Sequence, residues 1–260
     1  MRALGALEIL ALVLIAPPAL LFFARFAQYY LLRLFRRRAP KDEEMLRRGE
    51  SVFLGQSLRQ AFAFSMAPIF GILRKANIHP NTLTLVCLLV SCGAAALIAR
   101  GDLVLGGLYG LLGSSLDYLD GRMARLTGRA SKAGGFLDST LDRYSDIAFL
   151  SGAAVLFRDS VPMLVASLLA LGSGGVISYT RAKAESLGGT LTVGLMQRPE
   201  RIVLFCLGAL LDPVVDPWLP TSWQGHHALF ATAIVILAVL STWTAVHRTI
   251  AGFQDLRKDD

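Results

Sequence analysis

Asp117, Asp120, Gly121 and Ala124 stand at i, i+3, i+4 and i+7, a spacing that puts them on one face of an α-helix. Asp138 and Asp142, at i and i+4, share a face of the next helical stretch. The connection from Leu126 to Ala133 contains Gly128 and is short enough to make the two helices antiparallel neighbours, so four carboxylates converge at adjoining helix ends. Carboxylate oxygens without His or Cys companions suit hard ions such as Mg²⁺ or Mn²⁺. Two such ions, shared by the four carboxylates, would suit displacement at phosphorus, because they neutralise a diphosphate and stabilise a leaving oxygen. The plainer reading pairs each aspartate with Arg122, Arg125, Arg129, Lys132 or Arg143 at a membrane surface. For one aspartate that reading serves as well. For the joint pattern it does not, since eight specified residue types coincide by chance less than about once in a hundred million.

The elements that must carry these residues are membrane helices. Of 260 residues, 54% are hydrophobic and 17% charged, against roughly 25% charged in soluble domains. Apolar runs of spanning length lie at Ala3 to Phe35, Pro80 to Ala99, Leu103 to Met123, Gly134 to Phe157, Val161 to Thr180 and Ala228 to Val246, with a shorter one at Ile202 to Leu211. The expected fold is all-α: a polytopic membrane protein with a six-helix transmembrane core, one extra N-terminal transmembrane helix and a cytoplasmic interfacial helix. Two regions follow, 1–50 as N-terminal span with a basic linker and 51–260 as the catalytic membrane domain. The interfacial helix is Leu58 to Lys75, where Phe62, Met66, Ile69, Phe70 and Leu73 can share a face and Pro68 is a point of kinking.

The net charge of +7 does not indicate nucleic acid. Threading the spans alternately leaves Arg2, Arg100 and Arg158 on one side and nearly all other basic residues on or near the opposite one, including Arg36, Arg37, Arg38 and Lys41. That asymmetry makes the basic, carboxylate-bearing side cytoplasmic, in the cell (inner or plasma) membrane. Positive charge after the first apolar run argues against a cleaved leader. Cys87, Cys92 and Cys206 lie in apolar runs and read as small buried hydrophobes. Asp212 to His227 reads as an external loop, with Trp218 and Trp223 as interfacial anchors and His226 and His227 as an exposed pair.

The stretch from Asp117 to Asp142 resembles the signature of the CDP-alcohol phosphotransferases, D-x-x-D-G-x-x-A-R-x8-G-x-x-x-D-x-x-x-D, at every fixed position. The resemblance implies six transmembrane helices, a homodimer, and a cytoplasmic-facing site with two divalent ions. It makes Asp117, Asp120, Asp138 and Asp142 metal ligands and Asp142 also the general base. Gly121, Ala124, Arg125 and Gly134 would bind CDP, with Arg125 near the diphosphate. The acceptor hydroxyl would attack the lipid-bearing β-phosphorus of CDP-diacylglycerol, releasing CMP.

A second cluster bears on the acceptor: Ser178, Arg181, Lys183 and Glu185 end one run, Gln197, Arg198, Glu200 and Arg201 open the next, and Arg248 closes the last. Arginines at adjoining helix ends can form an anion pocket. Topology and lipid headgroups alone explain some of them. The S-Y-x-R-A-K-A-E and R-P-E-R strings resemble the phosphatidylinositol phosphate synthase branch of the family. That resemblance makes Ser178, Arg181, Arg201 and Arg248 the site for the phosphate of myo-inositol 1-phosphate. Glycerol 3-phosphate is the competing acceptor, since it too carries a phosphate. Serine or free inositol would leave the arginines without an anion. An ion-coupled transporter is the reading from another class, but its repeated halves with broken mid-membrane helices are not evident here.

Overall fold

The computed structural model describes residues 6–35, 42, 45–46, 55–189, 191 and 193–257. They form eight α-helices: α1 (Ala6–Leu34), α2 (Gln56–Lys75), α3 (Pro80–Ala99), α4 (Leu103–Leu126), α5 (Lys132–Leu156), α6 (Val161–Ser186), α7 (Arg198–Val215) and α8 (Ala228–Leu256). A 3-10 turn covers Asp216–Trp218, and no strand occurs among the described residues. The fold is therefore all-α, as the apolar periodicity requires. Among the described residues, α3, α6 and α8 are long and apolar enough to cross a membrane.

The chain divides into two units, Met1–His79 and Pro80–Asp260. In the first, α1 packs on α2 through rings: Phe22 and Phe62 have centroids 5.9 Å apart, Tyr29 and Phe64 5.8 Å. The Arg25 guanidinium lies 4.0 Å from the Phe64 ring centre, a cation–π contact. The face α2 buries is Gln60, Ala61, Ala63, Ser65 and Met66, whereas Phe62, Ile69, Phe70 and Leu73 are only half-buried. Of the expected apolar stripe, only Met66 is fully covered. Small side chains let two helix backbones approach closely, which the stripe of large residues would not. Gln60 is tolerated there because it exchanges hydrogen bonds with the backbone of Asp42, accepting from its N–H at 2.7 Å and donating to its carbonyl at 2.9 Å. The helix continues through Pro68. Arg2, Arg36, Arg37, Arg38 and Lys41, on which the expected orientation leans, lie outside the described residues.

The second unit contains α3 to α8. Several helices overrun their apolar runs: α4 continues to Leu126, α6 to Ser186 and α8 to Leu256, while α7 already begins at Arg198. By alternation these extensions share one end of the unit, where charged residues keep the helical repeat going beyond the apolar segment. Apolar burial drives helices together weakly inside lipid, so close van der Waals packing must hold them. Glycines supply it. A Cβ on Gly107 would stand 2.8 Å from Leu210 Cγ and 2.9 Å from the Cys206 carbonyl; one on Gly110 would stand 2.6 Å from Cys206 Sγ. On the α3 side, Gly106 meets Ile98 and Gly113 meets Ser91 at 2.6 and 3.0 Å. Helix α4 is thus wedged between α3 and α7 by residues with no side chain. Beside this wedge Phe149, Phe205, Phe230 and Phe157 form a ring cluster with successive centroids 5.6, 5.1 and 5.9 Å apart.

Two local expectations change. Cys87 and Cys206 are buried, but Cys92 is exposed, because five residues beyond Cys87 a helix has turned to a different face. Asp212 does not start a loop. It is buried inside α7, where Oδ1 accepts from the backbone N–H groups of Leu229 and Phe230 at 3.0 and 3.1 Å and Oδ2 lies 3.0 Å from His227 Nδ1. It thereby satisfies orphan donors in the first turn of α8.

Candidate active site

Helix α4 ends where Gly128 takes a φ of +68°. The Arg129 N–H then reaches back to the Ala124 carbonyl at 2.9 Å, the closing bond of a Schellman turn that the left-handed glycine permits. Helix α5 starts three residues on, with Ser131 Oγ accepting from the Gly134 N–H at 3.0 Å. A Cβ on Gly134 would sit 3.2 Å from that same Oγ and 3.4 Å from Asn81 Oδ1, a tight fit that glycine avoids. Helices α4 and α5 do not pack directly as close neighbours; both pack on α3, and the reversal brings their acidic side chains together beside it.

Single carboxylate oxygens of Asp117, Asp120 and Asp138 lie within 4.8 Å of one another. Asp120 is buried, the other two half-buried. Asp120 Oδ2 and Asp138 Oδ1 are shielded from solvent with no hydrogen-bond partner among the described residues. A buried carboxylate oxygen without a donor is costly, and an all-oxygen set of this spacing suits a hard divalent cation. The donor set fits Mg²⁺ or Mn²⁺.

Asp142 is brought to the same place but is held differently. Its Oδ1 lies 2.9 Å from Arg198 Nη2, and its Oδ2 3.8 Å from Arg143 Nη1. Asp117 and Asp138 both lie within electrostatic range of it. Arg198 also reaches Asp117 Oδ2 through Nη1 at 2.9 Å and Asp146 Oδ1 through Nε at 3.3 Å. One guanidinium, 18% exposed, therefore offsets three carboxylates. The sequence reading placed neither Arg198 nor Asp146 in the site. Asp146 does continue the i, i+4 series of Asp138 and Asp142, and that was the available signal.

Of the residues expected around CDP, Arg125 is exposed and folds back over Gly121, where a Cβ would stand 3.2 Å from its Nη1. Ala124 is half-buried on the same face. In the arginine cluster, Arg201 is buried and donates to Asp146 Oδ2 at 2.9 Å and to the Met196 carbonyl at 3.4 Å. Arg248 is buried and donates to the carbonyls of Val193 at 2.6 Å and Ile177 at 3.1 Å. Gly194, with a φ of +128°, makes room for it, since a Cβ there would be 3.0 Å from Arg248 Nε. Arg181 is exposed, pairs with Glu185 at 2.8 Å and, like Arg201, acts electrostatically on Arg248. Ser178, half-buried, follows Ile177 on α6. The three arginines from α6, α7 and α8 thus form one like-charged group, a concentration of positive charge suited to an anion.

The family model described as CDP-alcohol phosphatidyltransferase matches residues 77–246. Archaetidylinositol phosphate synthase of Methanothermobacter thermautotrophicus is 38% identical over 175 residues, 67% of this chain and 83% of that protein. Phosphatidylinositol phosphate synthase of Streptomyces avermitilis is 34% identical over 202 residues, 76% of this chain and 81% of that protein. Crystal structures of Mycobacterium tuberculosis phosphatidylinositol phosphate synthase superpose with a TM-score of 0.63 at 30% identity. One, with CDP-DAG bound, matches over 72% of this chain and 93% of its own. Another, in complex with manganese and citrate, matches over 72% and 88%. The paired carboxylate faces, the signature spanning them and these likenesses agree: the chain belongs to the CDP-alcohol phosphatidyltransferase family, as a metal-dependent integral membrane enzyme.

Proposed function

We propose that the protein transfers the phosphatidyl group of CDP-diacylglycerol to a phosphorylated polyol, myo-inositol 1-phosphate, releasing CMP in phospholipid biosynthesis. The observation that carries the choice of acceptor is the group formed by Arg181, Arg201 and Arg248 close to the carboxylates, in a chain whose relatives are named for inositol phosphate products. Arg181 and Arg201 pair with Glu185 and Asp146, while Arg248 donates to backbone carbonyls, so an acceptor without a phosphate would leave Arg248 without an anion.

Asp117, Asp120 and Asp138, with Asp142 beside them, would hold two divalent ions, Mg²⁺ or Mn²⁺. Bound ions supply charge neutralisation at the diphosphate of the donor. The chain's own groups do the rest. Gly121, Ala124 and Gly134 are assigned to CDP, and Arg125, which folds back over Gly121, to its diphosphate. Asp142, oriented by Arg198, takes the proton of the acceptor hydroxyl. The hydroxyl oxygen forms a bond to the β-phosphorus as the bond from that phosphorus to the CMP oxygen breaks. Ser178, Arg181, Arg201 and Arg248 fix the acceptor through its phosphate.

The proposal places α3 to α8 across the bilayer as a six-helix core with the carboxylate end facing the cytoplasm. It treats 1–50 as an added span and linker, 51–260 as the catalytic region, and the working unit as a homodimer in contact with membrane lipids. The test is an acceptor panel on purified protein with CDP-diacylglycerol and Mn²⁺: inositol 1-phosphate, glycerol 3-phosphate, inositol and serine. Phosphatidylinositol phosphate as the dominant product is expected. Phosphatidylglycerol phosphate instead would move the assignment to the other phosphorylated polyol.

A further inference from the structure

Asp146 stands outside the aspartate signature, one helical turn beyond Asp142 on the same face of α5. Each of its carboxylate oxygens receives a different guanidinium: Oδ1 faces Arg198 Nε at 3.3 Å and Oδ2 faces Arg201 Nη2 at 2.9 Å. The other two arms of Arg198 go to Asp117 and Asp142. Arg201 belongs to the group that includes Arg181 and Arg248. One carboxylate therefore ties the arginine at the aspartates to an arginine of the anion-seeking group. The Asp146 side chain is 17% exposed and that of Arg201 9%, so water is a poor substitute for either partner.

We propose that Asp146 is a positioning residue of the transfer reaction, coupling the arginine that binds the acceptor phosphate to the arginine that orients Asp142. The inference rests on the acceptor-phosphate reading of Arg201. A carboxylate between two guanidiniums sets the angle of both, because each contact is charge-assisted and directional. With Asp146 in place, Arg201 presents its remaining donors in one direction, and Arg198 meets Asp142 from a fixed side. An amide in its place would aim an NH₂ group at one guanidinium and remove the negative charge that offsets two positive ones. The acceptor would then bind in more than one pose, and its hydroxyl would meet Asp142 less often in line with the phosphorus.

The test is steady-state kinetics on the purified full-length chain with saturating Mn²⁺, varying inositol 1-phosphate and CDP-diacylglycerol in turn. For Asp146→Asn, the acceptor KM is expected to rise by about tenfold or more and kcat to fall by about tenfold, with the CDP-diacylglycerol KM within about twofold of wild type. Asp146→Ser, which removes the charge without adding a clashing donor, is expected to show the same split and serves if the Asn variant does not fold. In the double variant with Arg201→Gln, the acceptor KM should lie within about twofold of Arg201→Gln alone, because Asp146 acts through that arginine. Equal loss on both substrates, an unchanged acceptor KM, or effects that multiply in the double variant would overturn the coupling. A wild-type chain that uses neither inositol 1-phosphate nor glycerol 3-phosphate overturns the acceptor reading and this inference with it, and that result is visible before any variant is made.

Discussion

Arg198 Nη2 lies 2.9 Å from Asp142 Oδ1, so the first residue of α7 is pinned to the acidic face of α5. Because the same guanidinium also meets Asp117 on α4, three helices converge on one cation. This contact places the arginine-rich start of α7 beside the carboxylates, next to the proposed base.

Asp142→Asn should leave the helices intact, since an amide occupies the same volume. It should lower CMP release by about a hundredfold to ten-thousandfold, the range attributable to a lost general base. Circular dichroism and a CMP-release assay check both halves. Release within about tenfold of wild type would remove Asp142 from the proton transfer.

Arg198→Gln leaves Asp117, Asp142 and Asp146 facing one another without their shared cation. Discounted for the partial solvent access of these groups, the loss should be about 1–3 kcal/mol of stability in EDTA. Mn²⁺ should raise the melting temperature of the variant more than that of wild type, because a divalent ion answers the same negative charge. Equal Mn²⁺ shifts in the two proteins would mean that Arg198 and the ions do not share an electrostatic site.

Arg201→Ala should raise the acceptor KM by about tenfold to a hundredfold, the loss expected for a charge-assisted hydrogen bond of about 1.5–3 kcal/mol. The CDP-diacylglycerol KM should change little. Parallel rises for both substrates would argue that Arg201 shapes the site as a whole and does not hold one ligand.

Gly107→Val should destabilise by about 1–3 kcal/mol through overpacking, because its side chain would press on Leu210 and the Cys206 backbone. Gly172→Ala is the matching control on α6, where an added Cβ meets nothing within 4 Å. It should be neutral or slightly stabilising. Thermal unfolding in detergent compares them, and a Gly107 variant as stable as the control would contradict the close packing of α4 on α7.

The four aspartates were legible in the sequence because helical periodicity alone puts i, i+3 and i+4 on one face, and because Gly128 punctuates the reversal between them. The six-helix order from Pro80 onward was legible from the apolar runs. What the runs could not show was how far each helix continues past its apolar segment, as α6 does to Ser186 and α8 to Leu256, since charged residues prolong a helix without any hydropathy signal. Arg198 stands with its neighbours by position, but its role depends on α7 packing on α4 and on its side chain reaching across to α5, a tertiary fact that spacing does not encode. Gly107 and Gly110 of α4 carry no signal in the sequence for the same reason: their meaning lies in Cys206 and Leu210, far along the chain. Cys92 and Asp212 show the opposite fault, in which membership of a run or loop was allowed to stand for burial.

The carboxylates that α4 and α5 bring together form the divalent-cation site on which the proposed transfer depends. Calorimetric titration of Mn²⁺ into the purified chain tests it most directly, comparing wild type with Asp120→Asn and Asp138→Asn. About two ions per wild-type chain are expected, with at least about a tenfold weaker affinity, or loss of a site, in each variant. Unchanged stoichiometry and affinity in both variants would contradict it.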